Sequence, residues 1–250
     1  MITAGEIYDH IDSFAPFDTA MGFDNVGLLI GSRSCRTERV LIALDITENV
    51  IREAQEKNAS VVITHHPVIF QPLRTIMTDS IPYACVRAGI TVISAHTNLD
   101  VAKGGVNDTL AQLIGVSSEN GTDEDCVLFG ELDRECAAQE LAGRIKNSLG
   151  CCGLRFTGRN GTIRKVAVAC GAGGSAVFAA AAAGMDALVT GEIKHHELLF
   201  AAQKNIAVFD TGHFRSEDMV IPALAARLSK RFPEAVFEQA ESDRENIQYI

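Results

Sequence analysis

Apolar and β-branched residues fall in short dense runs along this chain: RVLIALD (39–45), ASVVITH (59–65), ITVISAH (90–96), KVAVACG (165–171), DALVTG (186–191) and IAVFDTG (206–212). Each is strand-length and bounded by turn or polar residues, which predicts buried strands. Between them lie segments of helical character: ENVIREAQEKN, IPYACVRAG, VNDTLAQLIG, SAVFAAAAAG, HHELLFAAQKN and EDMVIPALAARLSKRF. Strand alternating with helix predicts an α/β fold with mainly parallel sheets and helical crossovers. Residues 126–162 read as a less regular stretch, a strand (CVLFGEL), a helix (CAAQELAGRIKNSLG) and a strand (GLRFTG). The polar, acidic segment SSENGTDED (117–125) is the expected linker, dividing the chain into α/β lobes 1–125 and 126–250.

The two halves share an order. The first runs strand, helix, strand, His65-His66, helix, strand, then His96 with Asp100 four residues on. The second runs strand, helix, strand, His195-His196, helix, strand, then His213 with Glu217 four residues on. This predicts an internal duplication with unequal copies. In the second copy the histidine pair follows GEIK, about one helical turn beyond the strand end, a shift that would carry it away from an equivalent place.

Composition narrows the function classes. A net charge of −10 argues against an extended nucleic-acid surface, which needs clustered Lys and Arg. No run approaches the roughly 18–20 apolar residues of a membrane span. The opening MITAGEIYDHIDSF lacks a basic region followed by an apolar one, so no secretory signal is expected and the protein reads as cytoplasmic. Seven cysteines with no CxxC read as reduced thiols, with the neighbours Cys151 and Cys152 open to soft-metal or redox use.

The informative residues are the histidines. His65-His66, His96/Asp100 and His213/Glu217 all follow predicted strand ends, where ligands gather in open α/β sheets. Two adjacent imidazoles bring four ring nitrogens that need partners. Pro67 keeps His66 extended, and adjacent imidazoles suit two metal ions better than one, with Asp100 and Glu217 able to contact or bridge them. Imidazole plus carboxylate without thiolate fits Zn, Fe, Mn, Co or Ni. Two such ions would activate water for hydrolysis. Simpler roles stay open: His96 as a strand-end hydrogen bonder, His213/Glu217 as a surface helix pair, and His195-His196 as solvated. CGAGGS (170–175) is either an anion cradle or a tight packing turn.

These residues sit in motifs that together resemble the Nif-three-like dinuclear metal centre family, whose members carry the label GTP cyclohydrolase I type 2 homologue. The motifs are FDNVGLLIG (23–31), ALDIT (43–47), ITHHPVIF (63–70), SAHTNLDVAKGGVNDTLA (94–111), VTGEIKHHELL (189–199) and DTGHFRSE (210–217), in order across nearly the whole chain. Phe23 stands where the family usually has Trp. The resemblance implies two divalent metals on His65, His66, Asp100, His213 and Glu217, with His96 close by as the candidate catalytic group. It also implies two α/β lobes with the metals between them, in a ring-shaped homohexamer. Glu192, His195 and His196 belong to a family motif whose role does not carry over. The expected activity is metal-dependent hydrolysis of a nucleotide or related small molecule. The alternative is a non-enzymatic metal-binding hexamer serving as metal chaperone or interaction scaffold.

Overall fold

A computed structural model of the chain describes residues 1–118, 120–122, 125–248 and 250. It divides into two compact units, one of Met1–Leu99 with Val220–Arg244, the other of Asp100–Met219 with Glu245–Ile250.

In the first unit the main sheet runs in the order Val236–Gln239, Arg39–Ala43, Val61–Thr64, Thr91–Ser94, Gly27–Ile30. All neighbours are parallel except the last pair. Residues 40–43, 61–64 and 91–94 are buried throughout, the continuous apolar pattern of strands covered on both faces. The helix Glu48–Glu56 begins at Thr47, whose side chain accepts from the Val50 N–H. It lays Val50, Ile51 and Ala54 against Leu41, Val62 and Val92. The helix Ile81–Ala88 is capped by Ser80 and stopped by Gly89, which takes the left-handed conformation (φ 69°) that ends a helix without Cβ strain.

The second unit has a six-stranded sheet ordered Val116–Ser117, Leu128–Cys136, Ile163–Ala169, Ala187–Thr190, Ala207–Asp210, Arg155–Phe156. Its three consecutive strands Ile163–Ala169, Ala187–Thr190 and Ala207–Asp210 are parallel, flanked by antiparallel neighbours. The helix Ala176–Ala182 packs its small residues Ala176, Val177 and Ala180 against Ala167 and Leu188.

The α/β architecture with mainly parallel strands and helical crossovers is therefore present, while the units differ from the lobes 1–125 and 126–250. The segment expected as a linker connects two antiparallel partners of one sheet, with Val116 opposite Leu132 and Ser117 opposite Glu131. Its residues Glu119, Asp123 and Glu124 lie outside the described residues. The helix Val220–Arg231 and the strand Val236–Gln239 return to the first unit because the strand adds to the edge of Arg39–Ala43, with Phe237 opposite Val40.

That return is fastened by Glu53. Its carboxylate accepts from the N–H groups of Glu241 (3.0 Å) and Ser242 (2.8 Å) and from Ser242 Oγ (2.6 Å), and pairs with Lys57 at 2.9 Å. Burial alone pushes this carboxyl up, but hydrogen bonds from Ser242, Lys57 and the Glu241 and Ser242 backbone outweigh it and hold the pKa at about 2 against an ordinary 4.5. A depressed carboxylate stabilises the fold above pH 4.5, and the benefit is lost as pH falls from there toward 2. At about 1.4 kcal/mol per pH unit this amounts to roughly 3 kcal/mol. Glu53→Gln is therefore expected to lower the melting temperature at pH 7 and to flatten its fall between pH 5 and pH 3. Parallel melting curves of wild type and variant check this; indistinguishable slopes would show that Glu53 does not carry the fastening.

Candidate metal centre

In the first unit the parallel ladder continues past its named strands. The N–H of His65 donates to Ala43 O (3.1 Å), that of His66 to Leu44 O (2.9 Å), and that of Ala95 to Thr64 O (2.9 Å). His65, His66 and His96 thus stand at the carboxyl ends of adjacent parallel strands, as the sequence pattern places them. Their rings converge, with centroids 5.1 Å apart for His65–His66 and for His65–His96 and 5.5 Å for His66–His96. One ring nitrogen from each lies within 4.8 Å of the others, a spacing on which a metal ion can be held. The two neighbouring imidazoles lie with their ring planes tilted 44° to one another.

Each ring is also oriented. His65, 1% exposed, gives its Nδ1–H to the Ala95 carbonyl at 2.8 Å. His66 Nδ1 lies 3.0 Å from Asp45 Oδ1, and His96 Nδ1 lies 2.9 Å from Asp24 Oδ1. A carbonyl or carboxylate oxygen only accepts, so the proton sits on Nδ1 and the lone pair on Nε2. Asp24 is itself held, accepting from the Thr97 N–H (3.1 Å) and Oγ1 (2.6 Å). Burial pushes the Asp24 carboxyl up, but hydrogen bonds from His96 and Thr97 override it and keep the group well below the usual carboxylate range. It therefore stays ionised and continues to hold the His96 proton.

The second unit gathers the other candidates around the end of Ile163–Ala169. His213 opens the short helix His213–Glu217, with Nδ1 2.7 Å from Glu192 Oε1 and Nε2 3.2 Å from Glu217 Oε2. Asp100 and Glu217 are both buried. Between strand and helix lie Cys170, whose Sγ donates to Asp100 Oδ1 at 3.3 Å, and Gly171, whose N–H donates to Ser216 Oγ at 2.9 Å. Burial and the nearby charges of Asp100 and Glu217 push the Cys170 thiol well up, which favours the neutral donor seen here. Gly171 has φ +54°, and a Cβ there would lie 2.2 Å from Glu217 Oε1 and 3.3 Å from His213 Nε2. The CGAGGS turn is thus a close-approach turn under Glu217 and His213.

This donor set fits divalent metal. Imidazoles with Nδ1 held by oxygen and Nε2 presented are the usual form of metal-binding histidine. Two buried carboxylates beside one thiol make an electronegative place where a cation is favoured. His195 and His196 begin the helix His195–Gln203 and are exposed; among the described residues they join no group of metal-ligating atoms. Cys151 is buried, donating to Thr211 O, with its thiol pushed up to about 11 by burial, while Cys152 is exposed. Among the described residues that pair joins no group of three or more metal-ligating side chains.

Asp24 and Asp45 were given no role from the sequence, Glu192 only membership of a family motif, and Cys170 only a place in the CGAGGS turn. Their signal was present: Asp24 lies in FDNVG, Asp45 in ALDIT and Glu192 in TGEIK, each an acid beside a motif with no evident task. Among the described residues, no helix is long and apolar enough to cross a membrane.

The chain is similar to known proteins over nearly its whole length. A Clostridium perfringens protein named GTP cyclohydrolase 1 type 2 homolog is 34% identical over 238 residues, covering 90% of this chain and 91% of its own. NIF3-like protein 1 of Drosophila melanogaster is 31% identical over 226 residues, covering 84% and 76%. The crystal structure of a Staphylococcus aureus hypothetical protein matches with a TM-score of 0.91 at 27% identity, covering 100% of this chain and 99% of that one. The family model described as Duf34/NIF3 (NGG1p interacting factor 3) matches residues 2–246, so the chain, with its oriented histidines and buried acids, belongs to that family.

Proposed function

We propose that this protein is a dinuclear metal-dependent hydrolase acting on a nucleotide or related small molecule. The observation that carries the reading is the convergence of His65, His66 and His96, one ring nitrogen of each within 4.8 Å of the others and each Nδ1 at an oxygen acceptor. His65, His66, Asp100, His213 and Glu217 are the proposed ligands of two divalent ions of the Zn, Fe, Mn, Co or Ni class. The name of the Clostridium perfringens relative supports a purine nucleotide as substrate. The further proposals are a homohexamer and a cytoplasmic setting.

Two divalent ions, when bound, polarise an electrophilic centre and make water nucleophilic at neutral pH. The chain's own residues do the rest. His96, held through Nδ1 by ionised Asp24, accepts and returns a proton at Nε2, and Asp24 stabilises the imidazolium formed, as a carboxylate does behind a general base. Asp45 orients the His66 ring through Nδ1, and Glu192 and Glu217 hold the His213 ring between them. Cys170 keeps Asp100 aimed by a neutral hydrogen bond.

Metal analysis of reconstituted protein is expected to approach two ions per chain; a reproducible value of one, unchanged by added Mn, Fe or Zn, contradicts the dinuclear reading. His65→Ala and Glu217→Ala should each weaken metal binding by about ten-fold or more. The His195→Ala, His196→Ala double variant should keep its metals, and metal loss in it would move the assignment to that pair. His96→Gln should retain metal and lose turnover against nucleotides and phosphoesters. Full metal with no turnover in the wild type would favour the metal-chaperone or scaffold role.

Gly171→Ala tests the close approach. Its positive φ costs an alanine about 1–2 kcal/mol, and the methyl group must displace Glu217. A melting temperature lowered by several degrees, together with weaker metal binding, is expected; an unchanged metal titration would place Glu217 outside the ligand set. Light scattering across protein concentrations should give the hexamer mass, and a stable monomer at micromolar concentration contradicts it.

A further inference from the structure

Large apolar side chains exposed to water call for an explanation when they stand together beside reactive groups. Phe23 is 60% exposed and Phe70 is 43% exposed. Their ring centroids are 6.2 Å apart at an interplanar angle of 56°, and Phe70 stands 6.4 Å from His96 at 76°. The two rings form an open corner, one wall of which turns toward the histidine group.

The corner is fixed in place. Next to Phe23, Asp24 binds His96 and Thr97, and the Asn25 side chain donates to Ile69 O at 2.5 Å. The segment carrying Phe23 is thus tied on one side to the backbone beside Phe70 and on the other to the residues around His96. Two aromatic faces held at a set angle, half open to solvent and a ring's width from an oriented imidazole, are what a planar ligand needs. Small-molecule sites combine such apolar walls with a few placed polar groups.

We infer that Phe23 and Phe70 form a stacking wall that receives the heteroaromatic ring of a purine nucleotide and presents its edge to His96. The inference rests on the reading of the histidine group as the reacting centre and names what lies beside it. The 6.2 Å separation is too narrow for a ring to slide between two parallel faces, so the ligand stacks on one ring and meets the edge of the other, the offset arrangement aromatic groups prefer. Aliphatic cover would exclude water equally well; the aromatic faces add sequence-tolerant stacking, which alanine substitution at such walls typically reveals as about a five- to hundred-fold loss in binding.

The chain contains no Trp, so Phe23→Trp introduces a single indole at the wall. Metal-loaded Phe23→Trp protein is titrated with GMP and with ribose 5-phosphate, which share the phosphate and sugar and differ in the base. Saturable quenching by GMP and none by ribose 5-phosphate is expected. Adding Phe70→Ala or Phe70→Leu should weaken the GMP titration about ten-fold or more, while Phe70→Tyr keeps it. Metal content is measured on the same samples, so weaker binding with metal retained speaks to the wall, and metal loss in wild type or variant speaks to the reading beneath it. No saturable GMP quenching in fully metal-loaded protein overturns the inference. So does equal quenching by ribose 5-phosphate, or emission that follows protein concentration and ignores GMP, which would make the corner a contact between copies of the chain.

Discussion

A neutral imidazole has one nitrogen that donates and one that accepts, and the site depends on which is which. At His65 the choice is made by a main-chain carbonyl on the neighbouring strand, at Ala95, and not by a side chain. That carbonyl is in place because Thr64 lies opposite Ser94 in the parallel register and the Ala95 N–H closes the next rung onto Thr64 O. A one-residue slip would reverse every inward and outward side chain along the strand. Sheet register and histidine orientation are therefore one constraint. The carboxylates behind His66, His96 and His213 extend it with stronger, charge-assisted acceptors.

The second unit solves a different problem, holding acids where water is scarce. Burying a carboxylate is costly unless it is hydrogen-bonded or paired. Asp100 receives the Cys170 thiol, and Glu217 faces His213 across one turn of a short helix. Glycine at 171 lets the backbone come under Glu217 at a distance no side chain would allow. Rigidity here comes from backbone and small residues, while the first unit relies on a sheet covered by helices. Both place their reactive groups at the carboxyl ends of parallel strands, where an α/β sheet offers side chains without an intervening ladder.

Much of this was legible from the chain. Dense apolar runs such as VLIA and VVIT become central strands because burial on both faces leaves no alternation to misread. Histidines at the ends of those runs stand together in the structure, as their positions in the sequence suggested. The strand Val236–Gln239 was not foreseen: its four residues mix apolar and polar types, and its pairing with Arg39–Ala43 spans nearly the whole sequence. For the same reason the unit boundary falls away from the acidic segment that composition favoured. The helix Ala4–Asp12 was also passed over, although Thr3 and Glu6 form a reciprocal capping box at its start. Within the site, the partners behind the histidines were hidden because a strand-end Asp looks alike whether it faces water or an imidazole. Only the fold brings Asp24 to His96, residues separated by 72 positions.

The central claim is that metal is held on the Nε2 side of rings whose Nδ1 protons are already committed. Anomalous diffraction from crystals grown with Zn or Mn, with data collected on both sides of the metal's absorption edge, tests it most directly. The account predicts peaks at roughly 2.0–2.2 Å from Nε2 of His65, His66 and His213, with Asp45 and Glu192 still at the opposite nitrogens of His66 and His213. Metal bound at Nδ1, or peaks confined to His195 and His196, would contradict it.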